Sequence, residues 1–439
     1  MSNQRFDSLT RRAFVQTSAA LTAALAIPRG VYAFGSDTIR VGAIGCGGRG
    51  TGAIENCLDG STGVELVAMG DLAPDRLQSA KERLTKRATE DKAFAAKFKV
   101  KDDACFSGFD AYQKVLAADV DLVILATPPG FRPLHLRAAV DAGKHIFSEK
   151  PVATDVAGVR HVLETYELAR AKNLGIVTGT QRRHHSGYIE TIKRIHDGEI
   201  GDVMGGEVYW NQGGLWHRGR EANWTDMEWQ LRNWLYFAWL SGDHIVEQHV
   251  HNLDVANWVM KAHPVRATGV GGRQQRTDPQ WGHIYDHFAI DYEYPNGVHI
   301  TSMSRQIRGT RGKVGEWFQG TKGRAQAHDQ IIAGGKEFRW SKPEGWAPEM
   351  VQEHTDLVAS IRAGQPLNEL KQIAESTLTA IMGREAAYTG QEIVWDDLLK
   401  AQQDIAPAAL AKIQYGPLEV PPVPVPGRTK VDRAFVQGW

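Results

Sequence analysis

Residues 38–58 read TIRVGAIGCGGRGTGAIENCL. Ile39, Val41, Ala43 and Ile44 make a short apolar run that suits a buried strand. Gly45, Gly47 and Gly50 follow as G-x-G-x-x-G, and a helix-compatible stretch begins there. Glycines at such a strand-to-helix turn let a diphosphate approach the backbone, and the helix N-terminus offers free N–H groups. The next apolar run, VELVAMGD at 64–71, ends in Asp71. An acid at that place accepts hydrogen bonds from the adenosine ribose and repels a 2′-phosphate, so NAD is favoured over NADP. Arg49 and Arg76 soften that exclusion. A ligand-free glycine turn is the alternative, and the spacing to Asp71 argues against it.

Working outward, ADVDLVILATPP at 118–129, KHIFSEKP at 144–151 and LGIVTGTQ at 174–181 read as further strands, with a helix through roughly 160–172. Strands alternating with helices predict an α/β fold with an N-terminal Rossmann-type, doubly wound parallel sheet. The character changes after about Gln181. GGEVYWN, VRATGVGG and HFAIDYEYPNGVHITSMS alternate as strands, with Asn296-Gly297 as a hairpin turn. This predicts a C-terminal α+β domain with a large, mainly antiparallel open sheet. Helix returns from about residue 351, and the proline-rich 415–427 reads as an extended strap. No internal repeat is present. The expected organisation is an export segment over 1–33, a dinucleotide-binding domain over 34–180, a substrate and oligomerisation domain over 181–395, and a helix and strap over 396–439.

In 439 residues, 51 basic and 51 acidic side chains balance, which leaves no electrostatic footprint for nucleic acid or an anionic membrane. Thirteen tryptophans are present, several of them between Trp210 and Trp239. They fit either a packed aromatic core or a wall on which sugar rings stack. TRRAFVQ at 10–16, the apolar run Ala19–Ile27 and VYA at 31–33 follow the layout of a secretory signal. Arg11 and Arg12 with Phe14 match a twin-arginine export signal, with cleavage expected after Ala33 and a periplasmic or exported location. The apolar run is short for a membrane span, so no stable membrane insertion is expected once the signal is removed. If the signal does not function, the location is cytoplasmic. Cys46, Cys57 and Cys105 form no paired framework, so no structural disulfide is expected.

GAIGCGGRG, then LATPP, then AGKHIFSEKP resembles the Gfo/Idh/MocA family of NAD(P)-dependent sugar and polyol oxidoreductases. The resemblance runs from about residue 38 to 390. It implies an oxidoreductase acting on a CH–OH group of a sugar, polyol or sugar derivative. Lys150 would stand beside the nicotinamide and hydrogen-bond the reacting oxygen, and Pro151 would fix the turn through a cis bond. GDHIVEQHVHNLDVANWVM at 242–260 falls where the family has its second motif, Asp-x-x-x-His-x-x-Asp. Glu247, His251 and Asp254 occupy those positions, with Glu in place of Asp. His251 becomes the candidate acid–base group, Glu247 its one-turn neighbour, and Asp254 either a site residue or a structural partner. The candidate cofactor contacts are Gly45, Gly47, Gly48, Arg49, Gly50, Asp71, Thr127, Pro128, Glu149, Lys150 and Gln181. Candidate substrate contacts are Arg182, His184, Tyr188 and His249, the last departing from a family position where small residues are common. On a helix His249 and His251 point apart, and on a strand they would share a face and a zinc ion. The apolar spacing downstream favours helix, so no metal is expected. In relatives the second sheet forms subunit interfaces, which implies a homo-oligomer.

NAD is not supplied outside the cytoplasm. Export therefore implies a tightly held nicotinamide that is reduced and reoxidised within one cycle. Either two sugars exchange hydride, or a hydroxyl is oxidised transiently so that a neighbouring bond is cleaved or epimerised without net redox change. A plain cytoplasmic dehydrogenase and a non-catalytic sugar-binding protein remain the alternatives.

Overall fold

A computed structural model describes residues 38–406 and 413–433. The expected export segment lies outside them. Among the described residues, one sheet has six strands: β1 (Ile39–Ile44), β2 (Val64–Asp71), β3 (Cys105–Ser107), β4 (Leu122–Leu125), β5 (His145–Ser148) and β6 (Ile176–Thr178). Their order is β3-β2-β1-β4-β5-β6 and every pairing is parallel. β4 is buried along its whole length, as a strand covered on both faces must be. The strand order reverses between β1 and β4, so the turns leaving these two strands open a crevice at the sheet's carboxyl edge. The doubly wound parallel sheet read from the sequence is the one observed. Several strands are shorter than the apolar runs that announced them. Residues 126–129 after β4 and 179–181 after β6 have left the ladder for turns.

The second sheet is made of β7 (Val203–Gln212), β8 (Arg266–Gly272), β9 (His287–Tyr294), β10 (Val298–Gln306), β11 (Lys313–Gly320), β12 (Gly323–Gln326), β13 (Gln330–Ala333), β14 (Lys336–Arg339) and β15 (Ile393–Val394). Its order is β14-β13-β12-β11-β7-β10-β9-β8-β15. Only the β7–β10 pairing is parallel, so the sheet is mainly antiparallel as expected. Buried and half-buried residues alternate along β9, because one face packs on helices. Asn296 and Gly297, at φ 71° and 72°, close the β9–β10 hairpin in the left-handed geometry that this dipeptide favours.

The helix Leu370–Thr389 is almost wholly buried and packs on β8 and β9. Tyr292 Oη on β9 donates to the Thr379 carbonyl at 3.1 Å. Trp229 and Trp239 are buried with Phe131, Tyr236 and Phe237, so this part of the tryptophan-rich stretch is core. Residues 413–433 form no helix or strand. Cys46, Cys57 and Cys105 are free. Among the described residues, no helix is long and apolar enough to cross a membrane.

Candidate active site

The glycine turn divides its labour. Gly45 has φ 97°, and a Cβ there would lie 2.6 Å from the Ala126 carbonyl carbon of the turn after β4. A Cβ on Gly50 would lie 1.9 Å from the Gly45 carbonyl oxygen. Both glycines therefore let backbone pack on backbone. A Cβ on Gly47 or Gly48 would meet nothing within 4 Å, because both face the crevice at the N-terminus of helix Gly48–Gly60. Open space over free N–H groups is what a bound diphosphate needs.

The crevice is a cleft of 440 Å³ lined by Gly45, Gly47, Gly48, Arg49, Gly50, Asp71, Thr127 and Pro128, all expected cofactor contacts. Asp71 accepts from the Cys46 N–H at 2.6 Å and the Ala73 N–H at 2.8 Å, which fixes its carboxylate at the tip of β2. Burial pushes its pKa up, and these two N–H groups oppose the shift. Arg132, buried below the β4 turn, donates to the Leu125 and Thr127 carbonyls at 2.5 Å each, and Thr127 Oγ1 meets His135 Nδ1 at 3.0 Å. The far wall was not foreseen. Trp216, Arg218 and Trp234 come from the stretch after β7, and Tyr415 from the strap.

Glu149 does not reach this cleft. It is buried and accepts from Arg49 Nε at 2.5 Å, and Glu353 accepts from Arg49 Nη2 at 3.2 Å. Its role is to hold Arg49, which does line the cleft. Glu353 carries no motif and comes from the helix Glu349–Arg362, far along the chain. Gln181 opens the short turn Gln181–His184 and is also not among the cleft-lining residues.

The next residue along, Lys150, heads a cis peptide bond to Pro151. Its Nζ donates to the Glu247 carbonyl at 2.5 Å and lies 3.2 Å from Glu247 Oε1. Glu247 ends a short helix, His244–Glu247, and a second helix, Val250–Met260, starts after a break at Gln248. His251, in that second helix, stacks on Trp210 of β7 with 5.7 Å between ring centroids. Glu247 Oε2 and His251 Nδ1 are both buried with no hydrogen-bond partner among the described residues. Burial, then the charges of Lys150, Arg182 and Arg49, push the His251 pKa well below its usual value, so the imidazole is neutral. A held lysine, a neutral imidazole and a free carboxylate oxygen make a set able to bind a hydroxyl and take its proton.

Other expected contacts lie elsewhere. His249 is fully buried. Its Nε2 meets Ser302 Oγ at 2.7 Å and its Nδ1 meets Asn252 Oδ1 at 3.2 Å. Burial lowers its pKa to about 3. It points into the second sheet, away from His251, and is not a substrate contact. His184 binds Asp356 at 2.6 Å and Glu369 at 3.1 Å. Burial opposes its charge, yet these carboxylates push its pKa up to about 10. It fastens helices and does not reach the site. Tyr188 is buried with its hydroxyl on Glu316 at 3.0 Å. Asp254 is clamped by Arg183 at 2.8 Å and 2.9 Å and receives Ser376, which resolves it as a structural partner. Arg182 stays near the site: it pairs with Glu316 and lies 5.6 Å from the Trp210 ring centroid. Among the described residues, no group of three His, Cys, Asp or Glu side chains converges as metal ligands do.

Residues 39–176 match the family model described as "Oxidoreductase family, NAD-binding Rossmann fold", and residues 188–326 match the model of the GFO/IDH/MocA C-terminal domain. The chain belongs to the Gfo/Idh/MocA family. Among similar proteins, inositol 2-dehydrogenase 3 of Saccharopolyspora erythraea is 28% identical over 263 residues, which are 60% of this chain and 65% of that protein. A glycosyl hydrolase family 109 protein of Streptomyces coelicolor is 30% identical over 190 residues, 43% of this chain and 36% of that protein. The match thus spans less than two thirds of either relative. Among solved structures, the scyllo-inositol dehydrogenase of Lactobacillus casei with NAD(H) and scyllo-inositol superposes with a TM-score of 0.62 at 20% identity, covering 82% of this chain and 99% of that one. The aldose-aldose oxidoreductase of Caulobacter crescentus does so with a TM-score of 0.63 at 18% identity, covering 81% and 99%. At that identity the likeness is one of fold. The NAD-binding domain model spans the glycine turn and Asp71 that line the cleft.

Proposed function

We propose that this protein is an NAD-dependent oxidoreductase that acts on a CH–OH group of a sugar or polyol. The observation that carries this reading is Lys150 Nζ held by both oxygen types of Glu247, with the buried, unpartnered His251 Nδ1 belonging to the same site. When bound, the nicotinamide supplies the hydride acceptor and donor. The chain's own part is positioning and proton transfer. Lys150 hydrogen-bonds the reacting oxygen and favours its alkoxide character. Neutral His251 takes the hydroxyl proton as the carbon gives up hydride, and returns it in the reverse direction. The free Glu247 Oε2 accepts a second substrate hydroxyl. Hydrogen bonds that Lys150 donates to Glu247 keep the lysine from drifting, which fixes the geometry that hydride transfer requires.

The cofactor in this reading is tightly held and recycled within one turnover. Support comes from the N-terminal Arg11-Arg12 segment and from the wall of Trp216, Arg218, Trp234 and Tyr415 over the cleft. A second reading is redox-neutral. A hydroxyl would be oxidised to a ketone and the acidified adjacent C–H would lose its proton; then either the glycosidic oxygen would leave as the protonated alcohol and water would add in its place, or a proton would return on the opposite face, and hydride would return to the ketone. The glycosyl hydrolase family 109 relative favours it.

Purification without added cofactor, followed by sugar addition and simultaneous reading of reduced nicotinamide and products, tests these readings. Bound nicotinamide that is reduced by a sugar supports the first. Cleaved or epimerised product without net reduction supports the second. Protein that carries no nicotinamide contradicts the recycled cofactor. Export by the twin-arginine route is part of the same proposal and is checked by replacing Arg11 and Arg12 with Lys and following the mature protein between compartments.

A further inference from the structure

The strands β7, β8 and β10 run in the same direction and end in one row across the sheet. Gln212 pairs with Gln306, Arg305 with His287, and His287 with Gly272. The three segments that leave these strand ends carry Arg218, then Arg273 and Arg276, then Arg308 and Arg311, beside Arg305 at the end of β10. Among the described residues none of these six arginines forms an ion pair with a carboxylate, although the chain as a whole is charge-balanced. Asp243, Asp278 and Asp286 act on Arg273, and Asp243 and Asp286 on Arg276, from beyond ion-pair distance, and two of the three are held by other groups. Asp286 accepts from the N–H groups of Gln274, Gln275 and Arg276 and meets His287 Nδ1 at 2.8 Å. Asp243 holds Tyr388, the Tyr285 N–H and His244.

The segments touch one another. Gln275 exchanges two hydrogen bonds with the Arg308 backbone, and the Arg308 side chain runs beside Gly214. Arg276 is 4% exposed and lies 5.2 Å from the Tyr236 ring centroid. Its Nη2 donates to Gln306, and its Nη1 is buried with no partner. Gln306 in turn donates to Gln248 Oε1 at 2.7 Å, and Gln248 follows Glu247, the residue that holds Lys150. A buried guanidinium without a carboxylate in contact is costly to maintain, and a planar, five-donor group is built for carboxylate, sulfate or phosphate oxygens.

We propose that the substrate is an anionic sugar or polyol, whose carboxylate, sulfate or phosphate group is bound by Arg276 and Arg308 at this sheet edge while its reacting carbon lies at Lys150. This inference rests on the oxidoreductase reading above and adds the chemical class of substrate. Trp210, stacked on His251 and two residues before Gln212 at the end of β7, offers an apolar ring beside the reacting centre. Arg218, which lines the cofactor cleft, and exposed Arg311 extend the positive field that draws the anion in.

The test uses the purified holoenzyme and pairs of compounds that differ in one group: a uronate, a sugar 6-phosphate and a sugar 6-sulfate, each against its neutral parent sugar. The readout is the substrate concentration that half-saturates reduction of bound nicotinamide. In at least one pair the anionic member should half-saturate at a concentration about tenfold lower or better, and the pair that responds identifies the anion. Arg308→Gln and Arg276→Gln should each reduce that preference about tenfold. Arg308 is exposed, so its variant stays informative if the buried Arg276→Gln does not fold. Neutral sugars turned over as well as or better than every anionic partner overturn the inference and leave the oxidoreductase reading standing. An anionic preference that survives Arg308→Gln and folded Arg276→Gln unchanged also overturns it. If neither member of any pair reduces the nicotinamide, the oxidoreductase reading fails, and this one with it.

Discussion

Lys150 is the residue on which the proposed chemistry turns. Its ammonium has one carboxylate and one carbonyl partner, both from Glu247. Lys150→Ala should lower hydride transfer by about 100- to 10,000-fold with cofactor still bound, as single-turnover absorbance of nicotinamide will show. Glu247→Gln keeps the carbonyl contact and should cost less than Lys150→Ala in the same assay. His251 makes a second prediction. Burial and the neighbouring cations hold its pKa well below 6.5, so it is a proton acceptor throughout the neutral and mildly acidic range. Substrate oxidation should therefore stay level from about pH 8 down to about pH 5.5, and a loss with a midpoint near 6.5 contradicts this assignment.

Lys150, Glu247 and His251 were legible because each lies in a short local pattern. His249 was not. Where its ring points depends on the break at Gln248 and on Ser302, a partner more than fifty residues away. Arg49's partner Glu353 was invisible for the same reason, since its carboxylate arrives from a separate helix.

At the scale of elements, the β1 turn separates packing from binding. Gly50→Ala forces a methyl group onto the Gly45 carbonyl oxygen and should cost about 1–3 kcal/mol in denaturant unfolding, with cofactor lost as the turn shifts. Gly48→Ala places its methyl group in the open crevice. It should leave the unfolding midpoint nearly unchanged and still lower the nicotinamide content of purified protein. Equal unfolding midpoints in the two variants would contradict this division.

The strands themselves were read well because burial on both faces produces unbroken apolar runs and burial on one face produces alternation. Their ends were read poorly. Residues after β4 and β6 are apolar or small because they line turns and the crevice, and composition does not separate those duties from the ladder. The tryptophan-rich stretch divides for a similar reason. Trp229 and Trp239 are core, Trp216 and Trp234 line the cofactor cleft, and Trp210 stacks on His251. Their spacing along the chain does not encode this division, because the connecting segments are irregular.

Across the whole molecule, histidine burial gives stability a pH dependence with a definite sign. His135, His249 and His283 have pKa values lowered to about 3 by burial, and burial lowers His251 and His354 well below 6.5. Unfolded, each takes up a proton near pH 6.5; folded, it does not. Stability should therefore fall as pH drops below about 6.5 and keep falling towards about 3, by about 1.4 kcal/mol per pH unit for each such group. His184 acts in the opposite direction. Its raised pKa contributes stability that is complete below about 6.5 and is lost as pH rises towards about 10. His145, His185 and His196 are lowered too, so among the histidines eight groups against one make acidification the larger loss, and thermal unfolding between about pH 7 and about pH 5 checks the direction.

The two-sheet architecture was legible as a whole because its first half announces itself in one turn and its second half in strand alternation. The arginines at the ends of β7, β8 and β10 were not legible, because only sheet register gathers residues 218, 276 and 308 at one edge. The claim on which all of this rests is that hydride passes between a carbon held at Lys150 and nicotinamide in the glycine cleft. It is tested most directly by adding sugars and polyols, neutral and anionic, to purified cofactor-bound protein and to its Lys150→Ala variant, and following nicotinamide reduction. Reduction in the native protein and reduction at least about 100-fold slower in the variant, at equal cofactor content, is the expected result. Equal reduction in both, or none in either, would contradict it.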